Sequence, residues 1–254
     1  MNSMSVVMPS FHQRDLTLNC LKSYLHFCPK DFNLKIIVVE NSDDVSYKEE
    51  ALALGENIIW VNNNTHLRYS NANSVGIEVG MKYVEDDYVF LSHNDVCITS
   101  SHFFTSLIEK VAEGNQLIGT CYDMHPLRNK CIIMLGCLVT SSIVRKVDLY
   151  LLNREDGSPH FEAGDRINIH CRENNIKHLC FENTYNDEKL RETLVSPYKD
   201  LLYTVITVDH HGNVIFLHFA RGSDKTTGRY TKSGRKSIPE IIEFCESNIF
   251  KNAL

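Results

Sequence analysis

The stretch YVFLSHNDVCIT, residues 88–99, sets an imidazole, an amide and a carboxylate side by side at His93, Asn94 and Asp95. Groups of these types ligate cations, accept hydrogen bonds and carry protons. They follow directly on Tyr88, Val89, Phe90 and Leu91, a short apolar run of strand formers, so they stand where a buried strand leaves its sheet. Two readings fit that placement: a ligand-binding turn, or a turn that caps a helix starting near Ser101. A second histidine, His218, ends the apolar run VIFLH, where a packed core histidine is the competing reading. The most basic segment holds Arg221, Lys225, Arg229, Lys232, Arg235 and Lys236. It is either a cationic loop that closes over an anionic ligand or a solvated one.

Positioning such groups requires a scaffold, and the N-terminal half supplies an alternating one. Strands are expected at 5–8, 34–39, 57–61 and 88–91, with helices at 15–27, 47–54 and 71–83 between them. Strands separated by helices imply right-handed crossovers and a mainly parallel sheet, whose ligands sit at the carboxyl ends of the strands. Those ends carry Pro9-Ser10-Phe11, Glu40-Asn41-Ser42-Asp43, Asn62-Asn63-Asn64 and Ser92-His93-Asn94-Asp95, which together outline one polar rim. Beyond residue 100 the expected elements are a helix at 101–112, strands at 117–121 and 131–135, and helices at 140–149 and 164–174. YTVITVDHHGNVIFLHF resembles a hairpin turning at His211-Gly212-Asn213, and Pro239 opens a final helix.

With 254 residues, 43% hydrophobic and 23% charged, the chain can bury a large core. A formal net charge of -6 argues against nucleic acid as the main partner, since phosphate neutralisation requires a basic surface. Nine cysteines, without a CxxC pair or zinc-finger spacing, read as reduced thiols in a cytoplasmic protein. No apolar run approaches the roughly 20 residues of a membrane span, so any membrane contact is expected to be peripheral, at the inner face.

Four stretches then resemble the inverting family 2 glycosyltransferases of GT-A fold, over most of the chain to about residue 230. SVVMPSFHQRDLTLNCLKSY is similar to the family's opening strand, turn and first helix; KIIVVENSDD to its second strand with an acidic or amide pair; and NNNTHLRYSNANSVGIEVG to its Asn-rich approach to the third helix. YVFLSHNDVCIT aligns with the strand and Asp-x-Asp motif. The resemblance implies an α/β, Rossmann-like GT-A fold with a mainly parallel central sheet and a small antiparallel second-half subregion. One domain, 1–254, is implied, with 1–100 binding the nucleotide sugar, 101–220 the acceptor and catalysis, and 221–254 forming the basic loop and last helix. The implied activity transfers a sugar from a nucleoside diphosphate, UDP or dTDP, to a hydroxyl of a glycan or lipid-linked glycan acceptor in polysaccharide biosynthesis. Mn²⁺ or Mg²⁺ assists.

By the same resemblance Pro9, Ser10 and Phe11 frame the nucleobase, Glu40 accepts from a uracil or thymine imide, Asn41 belongs to the same nucleotide-sugar site, and Arg68 contacts base or phosphate. His93, Asn94 and Asp95 occupy the Asp-x-Asp positions, so the metal role passes to Asp95, and His218 is a further ligand. Arg221 and its basic segment would cover the diphosphate. FEAGDRINIHCRENNI resembles the family's acidic pair opening a helix that runs to an Arg; aligned on Arg172, Asp165 is the first candidate for the base and Glu162 the reserve. Arg166 and Asn168 stand where the family has carboxylates. Those departures keep open a non-catalytic sugar-nucleotide or glycan-binding module. A sugar nucleotidyltransferase is the other alternative, although MPSFHQRD lacks the Gly-rich triphosphate loop. The absence of G-x-G-x-x-G after the first strand disfavours a dehydrogenase.

Overall fold

The computed structural model describes residues 1–67, 69–123, 131–149, 164–219 and 236–251. Strands β1 (Ser3–Ser10), β2 (Asn33–Glu40), β3 (Ile58–Asn62) and β4 (Tyr88–Ser92) pair in parallel in the order β3-β2-β1-β4. β1 and β2 are buried along nearly their whole length because helices cover both faces. Alternate residues divide between those faces. Met4, Val6 and Met8 join Leu16, Leu21 and Tyr24 of helix α1 (Arg14–Phe27), whereas Val7 joins Ile77 of helix α3 (Tyr69–Gly80; α2 is the short Lys48–Leu52). Close approach of α3 depends on two glycines. A Cβ at Gly80 would lie 2.5 Å from Val7 Cγ1, and one at Gly76 2.9 Å from Pro9 Cβ, so α3 reaches the rim only with hydrogen at these positions.

Strand β5 (Val96–Ile98) comes next, then helix α4 (His102–Ala112) and strands β6 (Leu117–Gly119) and β7 (Gly136–Thr140). β7 runs antiparallel to both β4 and β6, and β8 (His178–Cys180) completes a mainly parallel seven-stranded sheet, β3-β2-β1-β4-β7-β6-β8. The strand expected at 131–135 is displaced into β7, leaving only a bridge between Tyr122 and Ile132. The cause is steric: a Cβ at Gly136 would stand 2.6 Å from Phe216 Cζ and 3.2 Å from Phe90 Cζ, so the glycine is where the strand can pass that aromatic cluster. The helix expected at 140–149 shrinks to α5 (Ser141–Val144), and that at 164–174 forms as α6 (Asp165–Glu173).

The hairpin forms from β10 (Val205–Val208) and β11 (Val214–His218), with Gly212 at φ +83° in the turn. With β9 (Glu182–Asn183) it builds the antiparallel sheet β5-β11-β10-β9. Its edge strand β5 comes from the first half of the chain, and its other three strands come from the second. Ser237 and Glu240 form a capping box at the final helix, Ile238–Cys245. None of the nine cysteines, all among the described residues, forms a disulfide. Among the described residues no helix is long and apolar enough to cross a membrane.

Candidate functional site

The chain leaves β4 at Ser92, makes the His93-Asn94-Asp95 turn and enters β5 at once. β5 pairs with β11 so that Val96 faces His218, and the Phe219 amide donates to the Asp95 carbonyl at 3.0 Å. That register carries His218, remote in sequence, to the end of the parallel sheet. His218 Nε2 lies 3.2 Å and His93 Nδ1 3.7 Å from Asp95 Oδ1, and the two imidazole rings stand 5.7 Å apart at 67°.

One ligand atom from each of His93, Asp95 and His218 falls within 4.8 Å of the others, and Asp95 and His218 are buried. Neither ring nitrogen of His218 has a hydrogen-bond partner among the described residues, unusual for a buried imidazole. Burial pulls the His93 pKa down to about 4, against the raising effect of Asp95 and with a further lowering by His218, which leaves the ring neutral at pH 7. A neutral imidazole is the form that ligates metal. Two nitrogens and one carboxylate make a donor set that could hold a divalent cation.

Beside this cluster lies a buried polar network. Glu40 has no exposed surface: its Oε1 accepts from the Ser42 amide (3.0 Å), the Ser42 hydroxyl (2.5 Å) and the His12 amide (3.3 Å), and its Oε2 from the Tyr47 hydroxyl. Both Glu40 oxygens thus accept hydrogen bonds inside the protein. Asn41 is likewise buried, donating to the Ala72 carbonyl at 3.0 Å and accepting from Asn63 at 2.7 Å. Ser10 shares hydroxyl hydrogen bonds with Thr17 (2.9 Å) and Tyr47 (3.0 Å), and Asn94 Nδ2 donates to Ser10 (3.1 Å) and Thr17 (2.9 Å). Of the β1 rim residues, Pro9 and Ser10 are buried and Phe11 is 43% exposed. Arg68, Glu162 and Arg221, with most of the basic segment, lie outside the described residues.

Sequence reasoning missed Tyr47 and Thr17, which tie the ends of β1 and β2 to Asn94 of the His93–Asp95 turn. Burial and the Glu40 charge push the Tyr47 phenol well up. Tyr47→Phe is expected to lower stability by about 1–3 kcal/mol, since it strips a donor from a buried carboxylate. Urea denaturation checks this; a Tyr47→Phe protein as stable as wild type would remove the network from its anchoring role.

Asp165 opens α6 and is 7% exposed. The helix is clamped to the segment preceding β7: Asn168 Oδ1 accepts from the Ile132 amide at 2.8 Å, and Asn168 Nδ2 donates to the Ile132 carbonyl at 2.9 Å. A Cβ at Gly164 would meet Met134 Cγ at 2.3 Å, and the carbonyl of the adjacent Leu135 accepts from the His93 amide at 3.2 Å. One short stretch, 132–135, thus joins the start of α6 to the His93–Asp95 turn. Arg166, at a position where the family has a carboxylate, lies with Nη2 3.9 Å from Asp148.

No protein-family model and no curated protein sequence matches the chain. Among solved structures it is similar to residues 1–349 of S. aureus TarS in complex with UDP, at 16% identity over 78% of this chain and 69% of that one, with a TM-score of 0.51. The same TarS fragment without ligand gives 14% identity over 78% and 68%, with a TM-score of 0.50. A mannosyltransferase from Pyrobaculum calidifontis in complex with GDP-Man and Mn²⁺ is matched at 10% identity over 57% of this chain, with a TM-score of 0.45. The chain spans 46% of that mannosyltransferase and 30% of a longer TarS chain. The TarS likeness establishes the fold, and the chain has the GT-A architecture of those glycosyltransferases.

Proposed function

We propose that this protein is an inverting glycosyltransferase that moves a sugar from a nucleoside diphosphate, UDP or dTDP, to a hydroxyl of a glycan acceptor. The observation that carries the reading is the convergence of His93, Asp95 and His218 at the carboxyl end of β4, the end at which open α/β sheets bind ligands. These three residues would hold a divalent cation. Held by them, such a cation would supply charge neutralisation for a donor diphosphate and for the leaving nucleotide.

The chain's own groups supply the rest. Exposed Phe11 offers an aromatic face to the base, while Glu40, Tyr47 and Ser42 keep the loop beneath it rigid. Asp165 takes the proton of the acceptor hydroxyl as that oxygen bonds to the anomeric carbon and the bond from carbon to phosphate oxygen breaks on the opposite face. The electron pair leaves with the nucleoside diphosphate. Arg221 and the other cations of its segment are assigned to the leaving diphosphate, and peripheral membrane contact fits a lipid-linked acceptor.

Isothermal titration with UDP, with and without MnCl₂, followed by a product-release screen of common sugar nucleotides, tests the proposal. Metal-enhanced binding with release of UDP or dTDP is the expected result. Binding without turnover across the screen would instead favour a sugar-nucleotide-binding module.

A further inference from the structure

Large exposed apolar side chains concentrate in one region of this molecule: Tyr185 (50%), Val195 (72%), Leu202 (54%) and Tyr203 (50%) fall within 185–203. The register of the small sheet places two of them at the metal end. Val205, at the start of β10, faces His218 directly, and adjacent strands lie about 4.8 Å apart. Tyr203 is two residues before Val205, so its Cα is within roughly 12 Å of that of His218. On the other side of β10, Thr207 faces Asn183, and the Thr184 amide donates to the Ile206 carbonyl at 2.9 Å, which brings Tyr185 to the same end of the sheet.

Both tyrosines stand on braced backbone. Arg191 donates to the Leu201 carbonyl (2.7 Å), the Thr204 carbonyl (2.8 Å) and the Thr184 hydroxyl (3.2 Å), which locks the two segments together. Asn183 Oδ1 accepts from the amides of Tyr185 (3.2 Å) and Asn186 (2.9 Å), a turn in which Tyr185 stays half exposed. Tyr203 has φ +63°, a left-handed conformation uncommon for a bulky residue and found where surrounding structure enforces it, often at ligand sites.

A second chain of contacts leads from Tyr185 to the candidate base. Asn186 exchanges two hydrogen bonds of 2.8 Å with the Tyr122 backbone, Tyr122 bridges to Ile132, and Ile132 is clamped by Asn168 of the helix that Asp165 opens. The tyrosines are therefore tied to His218 on one side and to the Asp165 helix on the other.

We propose that Tyr185 and Tyr203 form an acceptor subsite that stacks a pyranose ring of the glycan receiving the sugar. The assignment rests on the glycosyltransferase reading above. Rigid aromatic side chains offer large amphipathic contact area at low entropic cost. A sugar ring has apolar C–H faces for the rings and hydroxyls that remain hydrated. The residues 187–200 around the patch carry Asp187, Glu188, Glu192 and Asp200 against Lys189, Arg191 and Lys199, which gives no excess of positive charge for anionic lipid.

The test uses the full chain and a panel of soluble gluco-, galacto-, manno- and N-acetylglucosamine-configured oligosaccharides, followed by saturation-transfer NMR and titration. At least one panel member is expected to bind, and Tyr203→Ala or Tyr185→Ala to weaken it roughly tenfold or more, as truncation of a central aromatic anchor does. Tyr→Phe at either position should retain binding, because the ring and not the hydroxyl is used. Panel binding unchanged in both alanine variants, or no binding by any member, overturns the subsite. So does association with phosphatidylglycerol vesicles that the alanine variants lose, which would mark the patch as a lipid contact. UDP titration with MnCl₂ in the same variants should be unaltered, and its failure in the wild type would sink the glycosyltransferase reading separately.

Discussion

Asp95→Asn is expected to erase the manganese enhancement of UDP binding, with affinity for UDP in MnCl₂ falling roughly 100-fold, the upper end of what even indirect changes at metal sites cost. The substitution is nearly isosteric, and the contact that closes β5 onto β11 here uses the Asp95 backbone carbonyl, not its side chain. The turn should therefore persist. What disappears is the single negative charge facing His93 and His218, and two neutral imidazoles with an amide hold a dication far less well than two imidazoles with a carboxylate. Calorimetry with and without MnCl₂ separates this from a general loss of nucleotide affinity, because metal-free UDP binding should be little changed. An Asp95→Asn protein that retains the full manganese enhancement would remove the cluster from the donor site.

Why the candidate metal site was only half legible follows from how its members are assembled. His93, Asn94 and Asp95 follow an apolar run that any parallel-sheet strand resembles, so the exit from the sheet could be read locally. His218 could not be resolved in the same way, since a histidine ending an apolar strand looks alike whether it packs or ligates. Its role depends on the pairing of Val96 with His218, a contact between a three-residue strand and a distant hairpin. β5 itself was invisible in sequence, being too short for a period-2 pattern to register.

The same distinction separates the two faces of the rim. Alternating strands and helices announced β1 to β4 within a residue or two of their bounds, because continuous burial of a parallel strand writes itself as an apolar run. The burial of Glu40 could not be read locally, since a carboxylate at a strand end ordinarily signals exposure. Its burial depends on Tyr47, which reaches back from the start of the short following helix, and on the Ser42 hydroxyl. Similarly, Gly136 looks like a strand breaker in isolation and is in fact the first residue of β7, because the crowding by Phe90 and Phe216 exists only after folding.

Asp165→Asn is expected to lower kcat by roughly 10²–10⁴, the range ascribed to a positioned general base, while UDP affinity in MnCl₂ stays at the wild-type value. The expectation follows from the separation of tasks. The candidate cation ligands come from the turn between β4 and β5 and from the end of β11, whereas Asp165 comes from α6, which is joined to that turn among the described residues by way of Ile132, Met134 and Leu135. Asparagine keeps the size and hydrogen-bonding oxygen of the side chain and still suits the first turn of a helix. The fold then loses a charge–dipole term of about 0.3–1 kcal/mol. A mere structural role would lower stability and leave turnover near normal, so kcat and thermal unfolding measured on the same preparation distinguish the two. Near-normal kcat in Asp165→Asn would take the proton-accepting role away from this residue, and the chemistry would then need a carboxylate elsewhere, with Glu162 the next to substitute.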